Sequence, residues 1–127
     1  MEYDKVDRLE KIFELQKKLD TKIIQERNVN FDLDTWIQKE ILAIISELAE
    51  VLDETNFKWW KNSMEIDNQA LKEEIIDVFH FFISLCIKVG ISPQDLYEAY
   101  IHKNKENLFR QDGLSNKAGY SLKETAK

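Results

Sequence analysis

Turn-forming residues are scarce in this chain. Three glycines and a single proline in 127 residues are too few for the closely spaced turns of a β-sandwich. A lone cysteine, Cys86, closes no internal disulfide, so a reducing cytoplasm is the expected setting. MEYDKVDRLEK carries no apolar signal segment. The longest apolar run, from Ile75 to Ile91, is broken by Asp77, His80, Ser84 and Lys88. It is too polar for a membrane span and reads as a buried helix, so no membrane partner is expected. Basic charge is short as well: the net charge is −6, which argues against general nucleic-acid binding.

The charge is uneven. From His102 to Lys127 stand six basic residues against three acidic ones, a local +3 that leaves −9 for the rest. A solvated, mixed-charge tail explains this; so does a basic end that meets a metal-bound polyphosphate. At 43% hydrophobic and 33% charged residues, the composition is that of an ordinary helical protein, and the length fits one domain, residues 1–127.

Periodicity predicts four helices and an all-α, four-helix-bundle-like protomer. The first runs from about Tyr3 to Glu26 on the stripe Val6, Leu9, Ile12/Phe13, Leu19 and Ile23. Gln16 and Asp20 stand where that period calls for apolar residues. The second begins near Asp34 or Thr35, with Thr35 and Gln38 as a capping box, and ends near Thr55. The loop NFKWWKNSMEID follows. The third begins after Asp67 or Asn68 and stops at Gly90. Ser92-Pro93-Gln94-Asp95 supplies a cap, an N1 proline and an N3 acid for the fourth, which extends to about Arg110. Residues 111–127 read as an irregular, partly mobile tail.

Two acidic pairs stand out. Glu47 and Glu50, and Glu74 and Asp77, are each spaced i, i+3, which places both carboxylates of a pair on one helical face. On a wheel of about 100° per residue, Phe81 falls between Glu74 and Asp77 in angle, with Leu85 close by. The acidic stripe of the third helix thus continues as an apolar one, unlike a solvated face. Buried carboxylates there need a cationic partner, either Lys/Arg or a metal. On the second helix Glu40, Glu47, Glu50 and Glu54 form a stripe that taken alone reads as solvated. It becomes a site only if it turns inward against the third helix. Paired helices would then aim four carboxylates at one spot, a hard-oxygen set suited to Mg²⁺, with Mn²⁺ as a possible substitute.

These residues resemble a known family. ExxE, a loop and ExxD on paired helices, with FKWW, EEIIDVFHF and KNKENLFRQ around them, is similar to the all-α nucleoside triphosphate pyrophosphatases (MazG-like), and within them to the dimeric dUTPase branch. The resemblance spans about residues 13 to 120. It implies Glu47, Glu50, Glu74 and Asp77 as Mg²⁺ ligands, with Glu47 also activating the attacking water. It implies Lys103, Asn107 and Arg110 as phosphate-binding residues, with Asn104 beside them. Gln16, Asp20, Trp60 and Phe81 match positions around the nucleobase and sugar, His80 stands in the DxxHF motif, and Gly119-Tyr120 resembles the closing Gly-Tyr. Asp20 stands where many members have Asn. The Arg110–Gly119 segment is longer than usual. Val89-Gly90-Ile91-Ser92-Pro93 passes straight to the last helix without the insertion many dimeric dUTPases carry.

The implied function is Mg²⁺-dependent hydrolysis of dUTP to dUMP and pyrophosphate. The alternatives are a broader (d)NTP pyrophosphatase, dCTP included, and a non-catalytic helical assembly module whose acidic stripes are salt-bridge seams. A homo-oligomer, at least a dimer, is expected because a third helix apolar all round and two adjacent Trp exceed what one small bundle covers. Plainer readings stand beside the site roles. Trp59, Trp60 and Phe81 serve as core or interface anchors, Gln16 satisfies a buried backbone group, His80 is a hydrogen-bonded core histidine, and Cys86 fills the core.

Overall fold

The computed structural model describes residues 6–122, which hold four helices and no strand. α1 is Arg8–Glu26, α2 Leu33–Asp53, α3 Asn68–Lys88 and α4 Pro93–Asp112. No single helix is long and apolar enough to cross a membrane. The chain divides after Ile91 into two compact units; the first contains α1 to α3, the second α4 and the segment that follows it.

Each helix starts on a side-chain acceptor that satisfies an otherwise orphaned amide. Asp7 caps α1 by accepting from the Glu10 amide at 3.1 Å. Residues 1–5, where the first helix was expected to begin, lie outside the described residues. α2 is capped by Asp32 rather than Thr35: the Thr35 amide donates to Asp32 at 2.8 Å, and Gln38 bonds the Asp34 side chain instead of closing a box. Both Asp32 and Thr35 can cap, and the acid two residues before the expected start prevails. Asp67 caps α3 through the Gln69 and Ala70 amides. Ser92 and Asp95 form the expected reciprocal box, with Pro93 as the first residue of α4.

The ends of α1 and α3 share one device. Gly90, at φ 81°, donates to the Ile87 carbonyl while Ile91 donates to Cys86, which is the Schellman pair of bonds. Asn28, at φ 52°, does the same for α1 through Gln25 and Ile24. α4 runs to Asp112, two residues beyond its expected end, because Gly113 supplies the left-handed residue there. Residues 113–122 hold no helix, and residues 123–127 of the expected tail lie outside the described residues.

In the first unit α3 packs against both α2 and α1. Its buried residues are Ile83, Ser84 and Cys86, joined by Phe13 and Gln16 of α1 and Glu40 of α2. Burial pushes the Cys86 thiol up, consistent with a filler of the core. The all-round burial expected of α3 is not met within one chain: Ile75, Ile76, Phe79 and Phe82 remain exposed. Two neighbouring helices cover only part of a helix's circumference.

Candidate metal and nucleotide site

The inward face of α2 runs Trp36/Ile37, Glu40, Ala43/Ile44, Glu47 and Val51 and continues at the C-cap residue Glu54, all buried or half-buried. Three glutamates of the acidic stripe therefore face the protein, and only Glu50 lies on the exposed side. On α3, Glu74 and Phe81 are half-buried, two turns apart on one face. Packing of α2 on α3 brings the two acidic pairs together. Glu47, Glu50, Glu74 and Asp77 each offer a carboxylate oxygen, all within 4.8 Å of one another.

The electrostatics register this crowding. The Glu47 carboxyl is pushed up to about 7, chiefly by the Glu50 carboxyl hydrogen-bonding against it, then by burial, then by the charges of Glu50, Asp77 and Glu74. Glu74 is raised as well, again first by Glu50, then by burial, then by the charges of Glu50, Asp77 and Glu54. Glu47 Oε2 and Glu74 Oε2 are buried with no hydrogen-bond donor. Hard oxygen donors, converging repulsion and two orphaned lone-pair sites fit a divalent cation such as Mg²⁺. Glu54, which adds its charge at Glu74, belongs to the acidic stripe but not to the four expected ligands.

Gln16 and Asp20 are placed in a second cluster that joins all three helices. Gln16 Nε2 donates to Asp20 Oδ1 at 2.9 Å, and Gln16 Oε1 meets His80 Nδ1 at 2.6 Å. Ser84 Oγ lies 2.7 Å from Asp20 Oδ2 and 3.0 Å from Glu40 Oε1. The Lys88 ammonium reaches Ser84 Oγ, Glu40 and Asp20 at 3.1, 3.4 and 3.5 Å and sits 4.4 Å from the centre of the Trp36 ring. Gln16 thus satisfies side chains rather than a backbone group, and His80 is a hydrogen-bonded histidine, though exposed. Lys88, Ser84, Glu40 and Trp36 were not singled out as site residues. For Lys88 and Ser84 the signal is a lysine and a serine one turn apart in the otherwise apolar last two turns of α3, Phe81 to Lys88.

Trp60 lies in the loop between α2 and α3, 62% exposed, and meets Trp59 edge to face at 5.6 Å. That loop is clasped by Asn56, whose side chain bonds both the amide and the carbonyl of Met64.

In the second unit, Lys103, Asn107 and Arg110 fall on one side of α4, at i, i+4 and i+7. Arg110 Nη1 lies 3.5 Å from Asn107 Oδ1, and Arg110 Nε donates to Glu106 at 3.1 Å. Glu106 also accepts from Ser115 at 2.6 Å; Ser115 first and Arg110 second hold its carboxyl below the usual range. The long Arg110–Gly119 segment still returns to the helix, since the Arg110 guanidinium sits 5.4 Å from the Tyr120 ring centre. Lys103 and Asn104 are exposed.

Comparison with known proteins follows the same residues. The dUTPase family profile matches residues 8–94, more than half of the chain; Lys103, Asn107 and Arg110 lie beyond it. A dCTP pyrophosphatase of Enterobacteria phage LZ5 is 33% identical over 75 residues, 59% of this chain and 44% of that protein. A dCTP pyrophosphatase of Enterobacteria phage T4 is 27% identical over 88 residues, 58% of this chain and 52% of that protein. A DNA replication protein of phage T4 is 25% identical over 84 residues, 55% of this chain and 21% of that protein. The chain spans about half or less of the length of these curated relatives. No solved structure matches. Because the profile runs through α1 and both acidic helices, the chain belongs to the dUTPase family of all-α, MazG-like nucleoside triphosphate pyrophosphatases.

Proposed function

We propose that this chain is a Mg²⁺-dependent nucleoside triphosphate pyrophosphatase that acts on a deoxypyrimidine triphosphate and releases pyrophosphate. The observation that carries the proposal is the convergence of Glu47, Glu50, Glu74 and Asp77 within 4.8 Å. Divalent cations held by these four carboxylates would neutralise the polyphosphate and the charge that develops on it. Glu47, with an oxygen buried in the cluster and lacking a donor, takes the proton of the attacking water. The water oxygen bonds to the α-phosphorus, the bridge to the β-phosphorus breaks, and the electron pair leaves with pyrophosphate. Lys103, Asn107 and Arg110 of α4 are the phosphate-binding residues on this reading, with Arg110 also bonded to Glu106. Gln16, Asp20, Trp60 and Phe81 bind the nucleoside. Residues 1–127 act as one domain on this reading, in a reducing cytoplasm.

The family favours dUTP; the names of the two phage pyrophosphatases favour dCTP. A homodimer is part of the proposal. It is supported by exposed apolar residues along α1 and α3, among them Ile12, Leu15, Leu19, Ile76 and Phe79, which line a groove of about 410 Å³. Assaying Mg²⁺-dependent product release from a panel of nucleoside triphosphates tests the function. Monophosphate and pyrophosphate from dUTP or dCTP are expected. Orthophosphate as the first product excludes α-attack, and no hydrolysis of any nucleotide points to the non-catalytic module.

A further inference from the structure

A carboxylate accepts hydrogen bonds and has none to give. Asp20 Oδ1 is 2.9 Å from the Gln16 amide group, so Gln16 can present only its NH₂ on that side. Its oxygen is then turned to His80 Nδ1, 2.6 Å away, and that nitrogen has to carry the proton. The other oxygen of Asp20 is held by Ser84 at 2.7 Å and faces the Lys88 ammonium at 3.5 Å. Asp20 is therefore held from α3 and cannot rotate away. Gln16 is itself 7% exposed. Its amide keeps one N–H and one lone pair free, in a fixed order. A neutral amide at position 20 would impose no such order, because it can turn either its oxygen or its NH₂ to Gln16.

The two pyrimidine bases differ in this same order. Uracil presents a donor at N3 and an acceptor at O4; cytosine presents an acceptor at N3 and a donor amine at C4. We propose that Asp20 is the specificity-determining residue of this chain: by fixing the polarity of the Gln16 amide, it makes the site accept one of these base edges and refuse the other. The inference rests on the reading above that Gln16 meets the base. Refusal follows from the cost of leaving a buried donor or acceptor unpaired.

The test compares kcat/KM for dUTP and dCTP, with Mg²⁺, in the full chain and in Asp20→Asn. The wild type should prefer one substrate by at least about tenfold, and Asp20→Asn should move that ratio at least about tenfold toward unity. A wild-type ratio near unity, or a variant ratio equal to a strong wild-type preference, overturns the proposal while leaving the pyrophosphatase reading intact. Nitrogen-15 NMR of wild-type His80 supplies a readout that needs neither turnover nor the variant. A proton on Nδ1 is expected, and its absence breaks the relay. If the wild type hydrolyses neither nucleotide, calorimetric titration with the α,β-imido analogues separates the two ideas. A base preference that Asp20→Asn relaxes keeps the specificity role and discards the activity. Binding of neither analogue discards both. If Asp20→Asn does not fold, the wild-type ratio and the His80 proton decide.

Discussion

Lys88 on α3 lies 3.4 Å from Glu40 on α2, and the two side chains are 12% and 7% exposed. The same ammonium is the nearby cation for Asp20, so two buried carboxylates of two helices depend on one lysine. Replacing it by an apolar residue of like length leaves their charges uncompensated. Lys88→Met should cost on the order of 3–5 kcal/mol, read as a lower denaturation midpoint in urea. Adding Glu40→Gln should recover part of the loss, since the two sites share one network. A midpoint unchanged by Lys88→Met would mean that water already screens the cluster.

The acidic site predicts an inverted pH dependence in the metal-free protein. The Glu47 carboxyl stands at about 7 against its ordinary 4.5, and Glu74 is shifted the same way. Below 4.5 the group is protonated both folded and unfolded. Between that value and about 7 the folded state keeps a proton that the unfolded chain has lost, so the contribution to stability falls as pH rises and then levels off. The difference in melting temperature between wild type and Glu47→Gln isolates this effect from the capping carboxylates Asp32 and Asp95, whose lowered values act in the opposite sense. A wild-type advantage that grows across this window contradicts the cluster's electrostatics.

Cation binding follows from the same repulsion. Millimolar Mg²⁺ with nucleotide should raise the melting temperature, because the ligand binds the folded chain and not the unfolded one. Glu50→Gln and Asp77→Asn should each blunt the response. Either one should also stabilise the metal-free protein slightly, since each removes a like charge. Variants that respond to Mg²⁺ as fully as wild type would place the ion elsewhere.

Turnover tests the role of Glu47. Glu47→Gln preserves shape and removes basicity, and should lower kcat by roughly a hundredfold or more, the scale of a lost general base. Arg110→Ala should instead raise KM as well as lower kcat, because a phosphate contact is present before the transition state. A Glu47→Gln enzyme at wild-type rate would assign the proton to another group.

The apolar faces that a single chain leaves open predict association. Light scattering should find a dimer or larger assembly at micromolar concentration, with an interface above about 1,000 Å². Charging the groove with Phe79→Glu should shift the population toward monomer. A stable wild-type monomer would leave Ile76 and Phe79 without an explanation.

Local chemistry made the helices legible. Asp67, the Ser92–Asp95 box, Pro93 and Gly90 act over three or four residues, and their placement agrees with the spacing alone. The cap of α2 lies earlier than expected because Asp32 and Thr35, three residues apart, can each cap a helix, and local preference does not separate them. The acidic pairs were legible too, since i, i+3 is a property of one helix.

The contribution of the sequence by itself thus ends at single elements: which segments are helical, where each stops, and which side chains share a face. Tertiary structure alone decided that Glu40 and Glu47 turn inward and that α2 packs on α3, so that two pairs become one site of four carboxylates. It alone joined Gln16 and Asp20 to His80, Ser84 and Lys88, across separations of 64 to 68 residues. Helical periodicity orients a side chain about its own axis. Which neighbour that side chain meets depends on the packing of other helices, and so does the balance between a solvated acid, a buried ion pair and a cation site.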